Sequence, residues 1–466
     1  MKKLLSLLIV FIMLISCFAC SFGDDTIVLT IKKSHLSEED FILQQKVMTE
    51  YVAAFNKKYP DIEIQIQYVN DLPGDFKDTD VILMSADEVL EFAPTDLKIL
   101  SDECGDSIGK LLTPAANIGL LQIDTQEPET YFLPFNYDRA VVYADKGIFD
   151  KFDVDLPTKD WTYDEFVEVS KKFSRKYGNE SYIGVHLPLS KSYVWKYHFE
   201  QLGSGWYSEN GIVNFDSDKN KAVIKDIINL YKKKNAKCYS YTEANNQLWE
   251  APVAMAWLNA YQPDYDDYRV ISEKAAQSLV GRRIDEIAAK ENLILLPLPR
   301  NGENESYSYS NTDFIDGFAI SRFISENKTE NALKLIEFSQ TLEGNSILNS
   351  YYSGIPANKE LVSEDYWKTG YITGNNAESL LVGIENDKRD DYAELLKDDF
   401  YVFEKNLRMR SIASEYLNVE FKNSLKRENT TEKIFNDIAK IFNSTINAVD
   451  SNFSYYNKAV NKENQK

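Results

Sequence analysis

The stretch from Thr26 to Met84 reads strand, helix, strand, strand, and that order commits the chain to an open α/β sheet. Thr26–Lys32 (TIVLTIK) is a β-branched run and a first strand. Ser37-Glu38-Glu39-Asp40 offers an N-cap with acids in the first turn. Met48, Tyr51, Val52 and Phe55 follow at helical spacing, and Tyr59-Pro60 stops the helix. Ile62, Ile64, Ile66 and Tyr68 alternate with Glu63, Gln65 and Gln67, the pattern of a half-buried strand. Asp80–Met84 is almost continuously apolar, as expected of a strand covered on both faces. Open α/β sheets bind ligands beyond the carboxyl ends of their strands, where Ser34, His35, Ser85 and Asp87 fall.

A second α/β region begins after Tyr137. Ala140–Tyr143 is strand-like, and Thr162 with Glu165 forms a capping box ahead of the stripe Phe166, Val169 and Phe173. Val223, Ile227, Ile228 and Tyr231 mark a helix after the Asp216-Ser217 cap. Leu293–Pro297 and Phe318–Ile320 read as strands, with Ala332, Leu335, Ile336 and Ser339 as a helix face. Ile434, Ile438, Ile441 and Phe442 give the C-terminal region a helical stripe.

At 466 residues the chain exceeds the usual single-domain length about threefold. Its formal net charge of −21 disfavours nucleic acid and anionic membrane surfaces as partners. Lys2 and Lys3 lead into the apolar run Leu4–Ile15, which is too short to span a bilayer and reads as a signal h-region. Leu14-Ile15-Ser16-Cys17 resembles a bacterial lipobox, making Cys17 the expected site of lipid attachment; Cys20 fits the pattern less well. Two or more acyl chains suffice for stable anchoring. Cys104 and Cys238 are read as two separate thiols.

Enzyme signatures are missing from this sequence: it has no phosphate loop, no dinucleotide GxGxxG, no HExxH and no GxSxG. His35, His186 and His198 are scattered and lack metal-ligand spacing, so no metal or cofactor is expected. Aromatic content is more informative, with 29 Tyr, 25 Phe and 6 Trp making up 13% of the chain. Tyr and Trp suit half-wet sites, because the ring face is apolar while the edge hydrogen-bonds. A sugar, with apolar C–H faces and a rim of hydroxyls, calls for such rings beside carboxylates and amides. They cluster at Gly205-Trp206-Tyr207, at Trp249, and at Trp257–Tyr261 with Asp264; for any single ring, ordinary packing is the competing explanation.

The segment Tyr131–Phe166 (YFLPFNYDRAVVYADKGIFDKFDVDLPTKDWTYDEF) resembles the crossover segment of the family-1 extracellular solute-binding proteins of bacterial ABC sugar importers, the family of maltose-binding protein. Asp145-Lys146, Phe149-Asp150-Lys151 and Trp161–Phe166 match its pattern, while Ala144 and the extra Tyr163 depart slightly. Gly205–Asp218 (GWYSENGIVNFDSD) resembles the family's glycine-aromatic turn. Ala251–Tyr261 (APVAMAWLNAY) resembles its Ala-Met strand, and Phe318–Asn358 its closing block.

The resemblance implies an α/β, two-lobed periplasmic-binding-protein (Venus-flytrap) fold of class II type with a helical C-terminal region. A signal peptide (1–16) and a tether (17–25) would precede an N-terminal lobe of 26–136 plus 314–353 and a C-terminal lobe of 140–308 plus 358–466. Hinge crossovers would lie at 137–139, 309–313 and 354–357. Carried over by position, Asp87, Asp138 and Tyr261 match ligand-facing places, with Tyr261 the stacking aromatic. Trp206 is a looser transfer, Trp257 shares its cluster with Tyr261, and His35 follows from position alone. The function implied is a monomeric, non-enzymatic lipoprotein on the outer side of the cell membrane. It would bind an uncharged sugar and deliver it to the permease of an ABC importer. The acidic charge also suits a cationic solute. A ligand sensor for a membrane kinase uses the same fold, and a surface glycoside hydrolase is the enzymatic alternative.

Overall fold

The computed structural model describes residues 25–33, 38–93, 95–112, 115–116, 120–121, 129–137, 140–187, 194, 197–203, 217–233, 235–237, 253–259, 293–301, 315–352, 354–364 and 366–367. Cys17, Cys20, Cys238, the second hinge crossover and the C-terminal helical stripe lie outside the described residues.

Two five-stranded sheets organise the chain. The first is built from β1 (Ile27–Lys32), β2 (Ile64–Val69), β3 (Val81–Ser85), β4 (Leu133–Pro134) and a returning strand, Asp316–Ile320, in the order β2-β1-β3-return-β4. β1 runs parallel to both of its neighbours, and the returning strand is antiparallel to β3, pairing Asp316 with Ser85 and Ile320 with Val81. The crossover between β1 and β2 is helix α1 (Glu38–Lys58), which ends one residue before Tyr59-Pro60. Its Tyr51 is fully buried, stacks on Phe318 and donates its hydroxyl to the Leu335 carbonyl at 2.7 Å.

β3 is buried at Val81–Met84, as its continuous apolar run predicts. β2 differs from its alternating pattern. Five of its six residues, Ile64, Gln65, Ile66, Tyr68 and Val69, are half-buried, because β2 is the sheet's edge and neither of its faces is fully covered.

The second sheet contains β6 (Ala140–Asp145), β7 (Ile183–His186), β8 (Ala236–Lys237), β9 (Val253–Asn259) and β10 (Leu293–Leu296), in the order β8-β7-β9-β6-β10. Every residue of β6 is buried, so both faces of this central strand are covered. Helix α4 (Lys146–Phe152) follows β6 directly, and α5 (Tyr163–Phe173) packs on β7. The expected capping box holds: Glu165 N–H donates to Thr162 Oγ1 at 3.2 Å, and Thr162 N–H donates back to Glu165 Oε2 at 2.7 Å. Helix α6 (Asp218–Lys232) starts at Ser217, whose hydroxyl oxygen accepts from Asn220 N–H.

Between β4 and β6 the chain forms a two-residue strand, β5 (Asn136–Tyr137), which pairs antiparallel with β12 (Ile355–Pro356). The returning strand, hereafter β11, is followed by α7 (Glu326–Phe338) and α8 (Leu342–Tyr352), which lead into β12. A sheet whose fourth strand arrives only after the whole second sheet has been built is the class II arrangement of a two-lobed fold. Among the described residues, no helix is long and apolar enough to cross a membrane. Cys104 is a buried free thiol, and burial pushes it up to about 12.

Candidate functional site

The carboxyl edge of the first sheet is assembled from strand ends. β1 ends at Lys32 and β3 at Ser85, and helix α2 (Ala86–Phe92) starts directly after. Glu88, in its first turn, joins the two strand ends. One carboxylate oxygen accepts from Lys32 Nζ at 2.8 Å, and the other accepts from Ser85 N–H at 3.0 Å. Asp87 sits one residue earlier in the same turn. The Glu88 carboxylate, which accepts from the Ser85 N–H, is favoured by the unpaired N–H groups of the helix N-terminus.

Asp316 opens β11 opposite Ser85 and therefore lies on this same edge. Its N–H donates to Asn136 Oδ1 at 2.8 Å, while its carbonyl accepts from Phe135 N–H at 3.0 Å. Asn136 is fully buried and also reaches the Tyr352 carbonyl at 3.3 Å through Nδ2. Desolvation raises the Asp316 carboxyl to about 7; hydrogen bonding from the Asn136 side chain works against that rise and the negative charge of Glu88 adds to it. Gly354, between α8 and β12, has φ +131°, and a Cβ there would lie 3.0 Å from the Asn136 Cβ. Both the backbone conformation and the close approach exclude a side chain at that position.

Polar side chains strap the crossover in place. Gln340 Nε2 donates to the Pro134 carbonyl at 3.0 Å, Asn345 Nδ2 to the Phe135 carbonyl at 2.8 Å, and Ala357 N–H to Phe135 O at 3.1 Å. Tyr side chains gather beside them. Gln44 of α1 donates to the Lys32 carbonyl at 3.0 Å and to the Tyr352 hydroxyl at 3.3 Å, and Tyr351 donates to Asp40 at 2.9 Å. Tyr68, edge-on to Phe41, has a buried hydroxyl with no hydrogen-bond partner among the described residues, and burial raises it to about 12.

In the second lobe, the corresponding region is a packed aromatic group. Trp257 is fully buried on β9, 4.9 Å from Tyr197, 5.4 Å from Phe166 and stacked at 5.5 Å on His198. His198 directs Nδ1 at the Val194 carbonyl at 2.6 Å, and burial lowers it to about 4, so the ring is neutral. Tyr197 donates to the Pro299 carbonyl at 2.7 Å. Both His186 and His198 are buried packing residues.

Of the residues singled out from the sequence, Trp257 is thus enclosed in the second lobe's core, and Asp87 lies at the start of α2 on the first sheet's carboxyl edge. His35, Asp138, Trp206 and Tyr261 lie outside the described residues. Sequence reasoning missed Glu88, Asn136 and Asp316. A signal was present for Asp316: an acid directly before Gly317-Phe318, where a Cβ on Gly317 would lie 2.4 Å from the Leu133 carbonyl. Among the described residues no group of His, Cys, Asp and Glu side chains could hold a metal ion.

Residues 42–281 match the bacterial extracellular solute-binding protein family. The chain belongs to that family. No curated protein matches the sequence. Among solved structures, the chain is similar to the sugar-binding protein MalE of Xanthomonas citri, with TM-score 0.64 and 13% identity over 92% of this chain and 99% of that one. An open conformation of a sugar transporter protein from Rhizobium etli gives TM-score 0.60 and 17% identity over 90% and 99%. The galacto-N-biose-/lacto-N-biose I-binding protein of a Bifidobacterium longum ABC transporter, with lacto-N-biose, gives 0.60 and 15% over 93% and 99%. At these identities the likeness establishes the shared two-lobed fold.

Proposed function

We propose that this chain is the extracytoplasmic substrate-binding lipoprotein of an ABC importer. It holds an uncharged sugar or oligosaccharide between its lobes and delivers it to a membrane permease. Cys17 carries the lipid anchor, residues 17–25 are the tether, and the protein acts as a monomer without enzymatic turnover. The lobes are 26–136 with 314–353 and 140–308 with 358–466.

The observation that carries this reading is the strand pair β5–β12 beside the carboxyl edge of the first sheet. Two α/β bodies joined by short paired strands rotate about them, and closure is favoured only by the extra contacts that the second lobe gains with the ligand. A micromolar ligand supplies roughly 8 kcal/mol, from which closure must also be driven. Sugar ligands in the structural neighbours, and the polar, Tyr-rich edge with its buried amides, support the ligand class.

The ligand-contacting residues we assign are His35, Asp87, Asp138, Trp206 and Tyr261, with Trp257 backing the site from the second lobe's core. A thermal-shift screen over mono- and oligosaccharides tests the reading. The expected result is a raised melting temperature with at least one glycan and no product formed. Glycan hydrolysis, or stabilisation only by cationic solutes, would replace it.

A further inference from the structure

We propose that the amino edge of the second sheet is a docking surface for a phosphodiester polyanion of the cell envelope. The surface goes beyond the sugar-binding reading, and the choice of partner rests on the anchored, extracytoplasmic placement argued above.

The topology brings cations from three helices and a hairpin to one edge. β7 and β8 are parallel, so the helices that lead into them, α5 and α6, both end at the strands' amino ends. α5 carries Lys171 and Lys172 in its last turn, and Lys233 closes α6. β6 is antiparallel to β9, which is parallel to β7, so α4 leaves β6 at the same edge and brings Lys151. Between α5 and β7 comes Arg175, then the hairpin Lys176–Tyr177 with Glu180–Ser181. All six cations, Lys176 included, are exposed. Four of them fall within residues 171–176 of a chain whose formal net charge is −21. Of the acids along this edge, Asp150 pairs with Lys146 and Glu168 with Lys171, which leaves Asp153 and Glu180 against the remaining cations.

Rings hold several of these charges in place. Lys151 Nζ lies 5.0 Å from the Tyr177 ring centre and 4.7 Å from that of Tyr182, whose hydroxyl accepts from it. The Arg175 guanidinium lies 5.1 Å from the Phe152 ring, which packs on both tyrosines. Cations held over ring faces lose less freedom when they meet a phosphate. The helix macrodipole accounts for lysines in last turns. It does not account for Arg175 and Lys176, which lie beyond α5, or for Tyr177, which is 48% exposed.

Cations spread along an edge match a repeating anion rather than a single phosphate. The net charge of the whole chain repels a polyanion, so the contact is local and weakens with salt. The fold also selects the source of the anion. The tether joins the first sheet at its amino edge, ahead of β1, where Asn327 Nδ2 donates to Asp25 at 2.8 Å. With a ligand held between the carboxyl edges of the two sheets, their amino edges lie at opposite ends of the molecule. The anchored end then faces the bilayer and the basic end faces the envelope outside it, where phosphodiester polymers rather than lipid headgroups are within reach.

Fluorescein-labelled poly(glycerol phosphate), titrated with the full chain and read by anisotropy, tests the proposal. Affinity should fall roughly fiftyfold from 50 to 200 mM NaCl, as for about four phosphate contacts. The triple variant Lys172→Glu, Arg175→Glu, Lys176→Glu should lose about tenfold or more at the lower salt. A charge-matched triple on the first lobe, Lys46→Glu, Lys57→Glu, Lys110→Glu, should stay within about threefold of the wild type. Lys172→Gln with Lys176→Gln leaves Arg175 on its ring and should lose roughly three- to tenfold, which keeps the test decisive if the first triple disturbs the fold. Absence of binding at 50 mM NaCl, equal losses in the two triples, or tighter binding to phosphatidylglycerol vesicles than to the polymer would each overturn it. If the polymer binds through this edge while no glycan shifts the melt, the docking surface stands and the sugar-binding reading falls.

Discussion

Trp161 donates its indole N–H to the Pro297 carbonyl at 2.8 Å, and this buried bond fixes the start of α5 to the segment leaving β10. Trp161→Phe keeps most of the ring and deletes the donor, leaving the Pro297 carbonyl buried without it. The expected loss is about 1–3 kcal/mol, read from urea denaturation midpoints. A midpoint equal to the wild type would show that the bond contributes nothing.

The α5–β7 contact sets a steric limit. A Cβ on Gly184 would stand 2.1 Å from the Ser170 carbonyl oxygen, which belongs to helix backbone and has no freedom to turn aside. Gly184→Ala should lower stability by about 1–3 kcal/mol, because helix and strand must separate. Thermal melts of the two proteins decide the matter.

Trp257 and Tyr261 should behave differently when truncated. Trp257 is enclosed by Phe166, Tyr197 and His198, so Trp257→Ala should destabilise the fold by about 3–5 kcal/mol. Tyr261→Ala, if its ring stacks on the sugar, should instead cost roughly 1–3 kcal/mol of binding and leave the melt unchanged. Parallel melting and calorimetric curves separate the two roles.

His198 gives stability a pH dependence of defined sign. Its folded value, about 4, lies below the ordinary value of 6.5, so the unfolded chain binds the extra proton. Stability from this group is complete above about pH 6.5 and is lost as pH falls towards 4, by an amount on the order of 3 kcal/mol. His198→Gln should flatten that part of the curve. An equal slope in both proteins would assign the effect elsewhere.

Much of the fold was legible because its signals are local. The β-branched run of β1, the apolar run of β3 and the Thr162–Glu165 box each depend on neighbours within a few residues. β9 was legible in another way. Met255 and Trp257 alternate with small Ala254 and Ala256, so the period-2 pattern already puts the tryptophan on the second lobe's core face. Its aromatic character drew attention towards ligand stacking, which composition alone does not separate from packing.

The contact between Asn136 and Asp316 was less legible. Asp316 is 180 positions from Asn136 in the chain, and nothing local marks a backbone N–H that will donate to a side-chain amide across that distance. β2 shows the same limit. Its isoleucine–glutamine alternation predicts one covered face, but its edge position is decided by which strands β1 recruits on its other side.

The late arrival of β11 also bears on biosynthesis. Until residue 316 leaves the ribosome, β3 has a bare edge where its antiparallel neighbour belongs, and β4 has nothing to pair with in that sheet. Long-range pairing of this kind is slow, since the intervening loop must close first. The first body made is therefore the last to be completed, and a nascent chain of this protein stays threadable until most of it has been synthesised.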